Sequence, residues 1–332
     1  VSLKIVRPGL LTTIQDLGRR GYQKEGIIES GPMDPFALRV GNLLVGNDER
    51  EGSLEITLMG PKIQFEDDHL IALTGGNLSP KLDGQPIKMW RPILVSKGSL
   101  LEFALPVEGC RTYMAVSGGL AVKEVMESKS TYLRAELGGL HGKALQPGDV
   151  IPCGEITDQA KPFLKELKQS RLQQAIWTLP PSLLPTYKDE PVIRVMKGLE
   201  YDLFTSESQH QFFEESFQIT PQSDRMGYRL KGAELALLEP KEMLSSAVTF
   251  GTIQVPADGN PIVLLADHQT TGGYPRIAQV IQADYSKMGQ TAPGKKVSFK
   301  EISLVEAEKL YIEQEKKINN IKWALRVKRG GE

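Results

Sequence analysis

The sequence predicts a mainly β protein with few helices. Short apolar runs bounded by Gly, Pro and Asn/Asp turns recur along most of its 332 residues. Val, Ile, Phe and Tyr dominate those runs, as a half-buried pleated surface favours. Only a few segments carry helical spacing, two of them with caps.

Taken in order, the strands begin near the N-terminus. "SLEITLMGPKIQFEDD" (53–68) alternates apolar and polar residues and turns at Gly60-Pro61. "HLIALTGG", "IKMWRPILVSKGSLLEFAL" and "CRTYMAVSGGL" continue the rhythm, and "PVIRVMKG", "TFGTIQVP", "PIVLLAD" and "KKVSFKEIS" resume it later. Between the two sets lies 156–190, which is charged, holds a helical patch and has three prolines at 180, 181 and 185. The expected organisation is therefore a β unit over 1–155, a connection over 156–190, and a second β unit over 191–332 that ends in a helix. A faint repeat supports two related units. "LQPGDVIP" closes the first and "TAPGKKVSF" closes the β part of the second, while "LIALTGG" and "IVLLADHQTTGG" are both apolar strands leading to Thr-Gly-Gly.

Two helices announce their ends. In "MDPFALRVGNLLVG", Asp34 is placed as N-cap, Pro35 takes the first helical position and Gly46 follows the last periodic residue. Ser303 and Glu306 form a capping box. Beyond it Ala307, Leu310, Tyr311, Gln314, Ile318 and Ile321 share one face, with acids early and bases late as the helix dipole favours.

Composition narrows the function. Forty basic against 41 acidic residues give a net charge of −1, so there is no electrostatic reason to expect nucleic acid or an anionic membrane. No apolar run reaches bilayer length and the N-terminus lacks a secretory pattern. Cys110 and Cys153 belong to no CxxC, which with the rest predicts a reducing, cytoplasmic setting. P-loop, GxGxxG, HExxH, zinc-type and GxSxG patterns are missing, and the four histidines (69, 141, 210 and 268) include no i, i+4 pair. Lys197 follows a Met, as a biotin-carrying lysine does, but the second Met is lacking and the segment reads as a strand end.

Four stretches can carry chemistry. In "LLADHQTTGGYP" a strand runs into nine polar and glycine-rich residues. Asp267 or His268 can move a proton, Gln269 offers an amide, Thr270 and Thr271 offer hydroxyls, and Gly272-Gly273 expose backbone N–H groups beside Tyr274. The alternative is a long hairpin loop satisfying its own backbone. In "TPQSDRMGYRLKG", Ser223, Asp224 and Arg225 sit before Gly227. Arg225 can clamp a carboxylate, or a Ser-Asp turn with a local ion pair explains the same residues. In "TTIQDLGRRGYQKEGIIESGPMDPFALR", Gln15, Arg19 and Ser30 make a candidate anion or partner site, with Asp34 taken up by the cap. "MESKSTYLRAELGGLHGKALQPGD" reads as a barrel-closing connection rather than a mobile lid.

Four of these stretches, "TTIQDLGRRGYQ…SGPMD", "STYLRAELGGLHGKALQPGD", "SDRMGYRLKG" and "IQVPADGNPIVLLADHQTTGGYPRIAQVI", occur in an order that resembles the KipA family. This family is the C subunit of the ATP-dependent 5-oxoprolinase, related to the second allophanate-hydrolase-type domain of urea carboxylases. The resemblance runs from about Val6 to about Ala307. It implies two cyclophilin-like β-barrel subdomains, a KipI-like B subunit and a third subunit. The implied reaction opens 5-oxo-L-proline to L-glutamate at the expense of ATP, with the ATP-binding subunit left open. It implies that Asp267, His268, Gln269, Thr270 and Thr271 are family-motif positions. Arg225 would meet the substrate carboxylate, Gln269 its amide and Gly272-Gly273 the oxyanion. Two alternatives accompany it: a regulatory protein that sequesters KipI and relieves inhibition of the sporulation kinase KinA, and a biotin-dependent carboxyltransferase component using a carrier on another chain.

Overall fold

The computed structural model describes residues 1–171 and 173–330. They fall into two compact units: unit 1 is Val1–Arg19, Ser30–Thr186 and Glu315–Glu332, and unit 2 is Arg20–Glu29 and Tyr187–Gln314. Strands predominate, as the alternating runs predict. The helices are α1 (Pro35–Leu44), α2 (Lys161–Ser170), α3 (Ser206–Glu214), α4 (Tyr285–Gln290) and α5 (Leu304–Lys328).

Unit 1 arranges its strands as two sheets. Six strands run in the order Val150–Pro152, Ser2–Arg7, Lys62–Phe65, Leu100–Glu102, Lys81–Leu82, Gln85–Pro86. Five run Leu11–Gln15, Ser53–Thr57, Glu108–Val116, His69–Asn77, Pro92–Val95. Period-2 alternation splits the strand His69–Asn77 between two cores. Ile71 and Leu73 join a cluster with Leu3, Ile5, Ile63 and Leu101 of the six-stranded sheet. Leu70 and Ala72 point the other way, into a second cluster with Phe36 and Val40 of α1 and Ile318, Ile321 and Leu325 of α5. The five-stranded sheet is thus covered on both faces, which explains the near-continuous burial of its central strands.

The helix ends behave as their sequences dictate. The Asp34 carboxylate accepts from Ala37 N–H at 3.0 Å, and Gly46 takes the left-handed φ of +79° just past α1. At α5 the Ser303 hydroxyl accepts from Glu306 N–H at 3.2 Å while the Glu306 carboxylate accepts from Ser303 N–H at 2.9 Å. Ala307, Ile318 and Ile321 are buried on the expected face, and Leu325 extends it. Despite its length α5 is too charged to cross a membrane, and no helix among the described residues is long and apolar enough to do so.

Unit 2 holds a closed seven-stranded barrel in the order Val192–Lys197, Arg276–Val280, Thr252–Gln254, Ile262–Leu264, Gly227–Lys231, Ser216–Ile219, Lys296–Glu301. The ring closes through a parallel pairing of Val192–Lys197 with Lys296–Glu301, the other pairs being antiparallel. Phe212 of α3 stacks on Phe299 at 4.6 Å between centroids and tilts against Phe217.

The Pro-Gly repeat has a structural counterpart. In unit 1, Gly148 N–H donates to Ile5 O at 2.7 Å and Ile5 N–H donates to Asp149 O at 2.8 Å. In unit 2, Gly294 N–H donates to Ile219 O at 2.7 Å and Ile219 N–H donates to Lys295 O at 2.9 Å. Both glycines have φ of +90°, which a side chain disfavours. The Thr-Gly-Gly pair is not equivalent in this way: Thr74-Gly75-Gly76 stays inside one strand, whereas Thr271-Gly272-Gly273 follows a loop.

Both cysteines are buried free thiols, and burial pushes Cys153 up to about 12.

One buried carboxylate fastens the barrel. Asp284 is fully buried and accepts from Arg194 N–H at 2.8 Å and Nε at 2.9 Å, and Lys287 Nζ lies 2.9 Å away. Burial alone would raise its pKa, but the Arg194 hydrogen bonds and the Lys287 charge win and lower it. Asp284→Asn is expected to cost about 3 kcal/mol, read by urea unfolding at pH 7. Because the folded pKa is depressed, the wild-type advantage should hold above the ordinary 3.8 and disappear only as pH falls below it.

Candidate active site

The polar run starts where the strand Ile262–Leu264 ends. Leu265 and Ala266 are buried, and Asp267 N–H donates to Arg225 O at 2.8 Å. The side chains pair as well: Arg225 Nε lies 2.9 Å from Asp267 Oδ2 and Nη2 lies 3.0 Å from Oδ1. The two side chains are 5% and 6% exposed, so this is a buried, two-pronged pair. Both Asp267 oxygens are taken up by the guanidinium. Two stretches that the sequence offered separately are joined here through Arg225 and Asp267.

His268 is buried, and its Nδ1 lies 2.6 Å from Gln269 O. A carbonyl oxygen can only accept, so Nδ1 carries the proton and Nε2 keeps its lone pair. Burial lowers the His268 pKa below the ordinary 6.5, against smaller opposing effects from the Gln269 carbonyl, Glu29 and Asp267. At pH 7 it is a neutral imidazole of fixed tautomer, the form of a general base.

The rest of the run forms a ribbon beside the barrel. Thr270 O accepts from Val248 N–H at 3.2 Å, and Thr271 and Gly272 pair with Ala247 and Ser246. Gln269 and Thr271 are exposed and Tyr274 is 48% exposed. Gly272 lies against Gln254, whose Nε2 donates to Tyr274 O at 3.3 Å. The run ends in a second two-pronged pair, with Arg276 Nε 2.7 Å from Glu200 Oε2 and Nη2 2.6 Å from Oε1. The Arg276 hydrogen bonds lower the Glu200 pKa more than its burial raises it. Gly273, Tyr274 and Pro275 line a groove of about 670 Å³ whose other wall includes Lys241, Met243 and Val255. A smaller cavity of about 230 Å³ involves Lys197, Val248, Thr249 and Arg276. Lys197 ends a strand, 3.3 Å from Glu301 and 4.7 Å above the Tyr201 ring.

The other candidates are placed as follows. Ser223 Oγ accepts from Arg229 N–H at 3.0 Å, and Asp224 Oδ1 accepts from Met226 N–H at 2.8 Å, so both shape their own turn. In unit 1, Gln15 Nε2 donates to Thr131 O at 3.2 Å and Arg19 Nη2 donates to Ser130 O at 2.7 Å. Asp16 accepts from Ser128 Oγ at 2.7 Å and Ser130 Oγ at 2.6 Å. The 126–149 segment is therefore fastened onto the 15–19 segment. Gly138 has φ of +71° and leaves no room for a Cβ, which would lie 2.1 Å from Ser130 O. Ser30 has φ of +56° and is buried, with its hydroxyl unpartnered among the described residues. Among the described residues no group of three or more His, Cys, Asp or Glu is arranged to hold a metal ion.

Comparison with known proteins meets this geometry. The chain is 39% identical over 323 residues to the C subunit of the 5-oxoprolinase of Escherichia coli, covering 97% of this chain and 98% of that one. The chain belongs to the 5-oxoprolinase C-subunit family. The Haemophilus influenzae member is 39% identical over 298 residues, 90% of each chain. The family "Carboxyltransferase domain, subdomain A and B" matches residues 25–301. The crystal structure of the K. lactis urea amidolyase superposes with a TM-score of 0.87 at 31% identity, over 96% of this chain but only 20% of that one. The family expected from the four ordered stretches is therefore the family found.

Three features of this C-subunit family member were not foreseen from its sequence. Glu200 and Gln254 lie on segments read only as strand and turn. The pairing of Asp267 with Arg225 spans 42 residues, and no local pattern encodes it. A signal for Gln254 did exist: it is a polar residue at a position flanked by Ile253 and Val255 in an otherwise apolar run.

Asp267→Ala leaves the Arg225 guanidinium buried without this carboxylate and should destabilise by about 3 kcal/mol in urea unfolding. Asp267→Leu combined with Arg225→Met should recover most of that loss. A single-variant cost no larger than that of an exposed substitution would show that the pair is not structural.

Proposed function

We propose that the chain is the C subunit of a 5-oxoprolinase, acting with a KipI-like B subunit and a third subunit in an ATP-dependent opening of 5-oxo-L-proline to L-glutamate. The observation that carries this is the 39% identity with two C-subunit proteins over 90% or more of each chain. The reading includes a cytoplasmic location and two cyclophilin-like units. The matched Pro-Gly turns at Gly148 and Gly294 support the second point.

The polar run supplies the chemistry that this chain contributes. His268 Nε2 takes a proton from the attacking water as its oxygen bonds to the lactam carbon, and returns it to the ring nitrogen as the C–N bond breaks. Asp267, with both oxygens held by Arg225, fixes the start of the loop rather than acting as the base. Gln269, Thr270, Thr271 and Tyr274 surround the substrate, and backbone N–H groups near Gly272-Gly273 face the developing oxyanion.

The two cavities described above are not built for a triphosphate. A triphosphate needs backbone N–H groups and unpaired basic side chains. The larger groove offers Lys241 beside Glu242 and three prolines that lack N–H. In the smaller cavity Lys197 and Arg276 are engaged by Glu301 and Glu200. The subunit that binds the nucleotide is left open, and no step here runs through it.

Glutamate release from 5-oxoproline and ATP tests the assignment, with the chain alone, with the KipI-like protein, and with all three subunits. Turnover should require the complete mixture and vanish when this chain is omitted; turnover without it would leave only a binding role. In the complete mixture His268→Gln should lower kcat by about 100-fold or more. Because burial depresses the imidazole pKa, the wild-type acid limb of kcat/KM should lie below the ordinary 6.5 and be absent from the residual rate of His268→Gln.

A further inference from the structure

We infer that Gln254 is a positioning residue for this site, and that Gly272 lacks a side chain so that the Gln254 amide can lie against the loop. The kinetic part of this inference rests on the proposed reaction; the structural part does not.

Gln254 is 1% exposed at the end of the strand Thr252–Gln254, which the barrel pairs on both edges. A buried amide at such a position is costly unless it is hydrogen-bonded. Its Nε2 donates to the carbonyl of Tyr274 at 3.3 Å, and the next residue continues the link, Val255 N–H donating to Pro275 O at 3.0 Å. The register supports a purposeful aim. Thr252 faces Gln279 and Ile253 faces Ala278, but Gln254 faces Arg276, leaving Ile277 as an extra residue in the partner strand. Such a bulge redirects side chains at the end of a ladder.

Gly272 completes the argument. Its φ is not in the left-handed region, so backbone conformation does not call for glycine. Space does. A Cβ there would fall 2.4 Å from Gln254 Nε2 and 2.9 Å from its Oε1. On its other side Gly272 is held by its pairing with Ser246. The amide and the ribbon thus grip one residue of the loop from two directions. Four residues upstream lies His268, and two residues downstream lies Tyr274. Removal of the amide, or insertion of a methyl group in front of it, releases the backbone between them.

The experiment compares wild type, Gln254→Ala, Gln254→Glu, Gly272→Ala and the Gln254→Ala/Gly272→Ala double variant in the three-subunit mixture. Each alanine variant should lower kcat by about 10- to 100-fold, the effect of misplacing a site by an ångström. The double variant should be no slower than the slower single one, because the new methyl group fills the space the amide vacates. Gln254→Glu keeps the shape but donates to Tyr274 O only when protonated. Its rate relative to wild type at the same pH should therefore rise as pH falls, a response that a space-filling role would not give. Losses that multiply in the double variant, or a pH-independent ratio for Gln254→Glu, would overturn the inference. Amide exchange over 268–275 provides a readout independent of turnover. It should accelerate about tenfold or more in Gln254→Ala while the barrel strands keep their protection. Unchanged exchange there would also overturn the inference, whereas an inactive wild-type mixture would refute only the proposed reaction. If Gln254→Ala fails to fold, the isosteric Gln254→Glu carries both readouts.

Discussion

The loop that holds the candidate site depends on two arginine–carboxylate pairs, one at each end. Ordering a long irregular segment costs about 1 to 2 kcal/mol per residue in backbone entropy. Asp267 enters the segment gripped by Arg225, and Arg276 leaves it gripped by Glu200. Both pairs are two-pronged, which fixes direction as well as distance. With its ends anchored, the segment between leaves Gln269, Thr271 and Tyr274 exposed.

The same device recurs around the barrel. Arg194 on one strand holds Asp284 just outside the ladder, as Arg276 holds Glu200 and as Arg225, two residues before its strand, holds Asp267. In each case a strand-borne or near-strand cation fastens a carboxylate on a connection. Arg225 and Asp267 are both deeply buried, where the pair would be expensive if either partner were lost. His268 follows directly, and its own burial has the opposite result: with no opposite charge bonded to it, the imidazole stays neutral.

Much of this fold was legible because local chemistry decides it. The caps at Asp34 and Ser303, the alternating strands and the Pro-Gly turns each need only neighbours in sequence, and each appears where the pattern placed it. The mainly β class and the family followed from such patterns in order. What the pattern could not give were choices made in three dimensions. Residues 20–29 go with unit 2 and residues 315–332 with unit 1, against any contiguous division. Asp16 is satisfied by Ser128 and Ser130, more than a hundred residues away. Asp267 pairs with Arg225, 42 residues away, which no local pattern encodes. Gly272 was read as exposing a backbone N–H group, and its close approach to the Gln254 amide was not visible in the sequence.

Because residues 315–330 belong to unit 1 but follow unit 2 in sequence, the order in which the chain is made matters. Ile318, Ile321 and Leu325 finish the apolar layer over α1 and the strand His69–Asn77. Glu315 and Lys322 fasten that layer through Arg39 and Glu49. During synthesis residues 30–186 must wait for residues 315–330 before this surface is covered, and residues 187–314 are translated in the interval. A ribosome-bound chain therefore carries an uncovered oily face throughout that interval, the condition under which chaperones are recruited and incomplete chains aggregate. Removal of Ile318, Ile321 and Leu325 should therefore harm a unit whose other helices and strands all precede residue 187 in sequence.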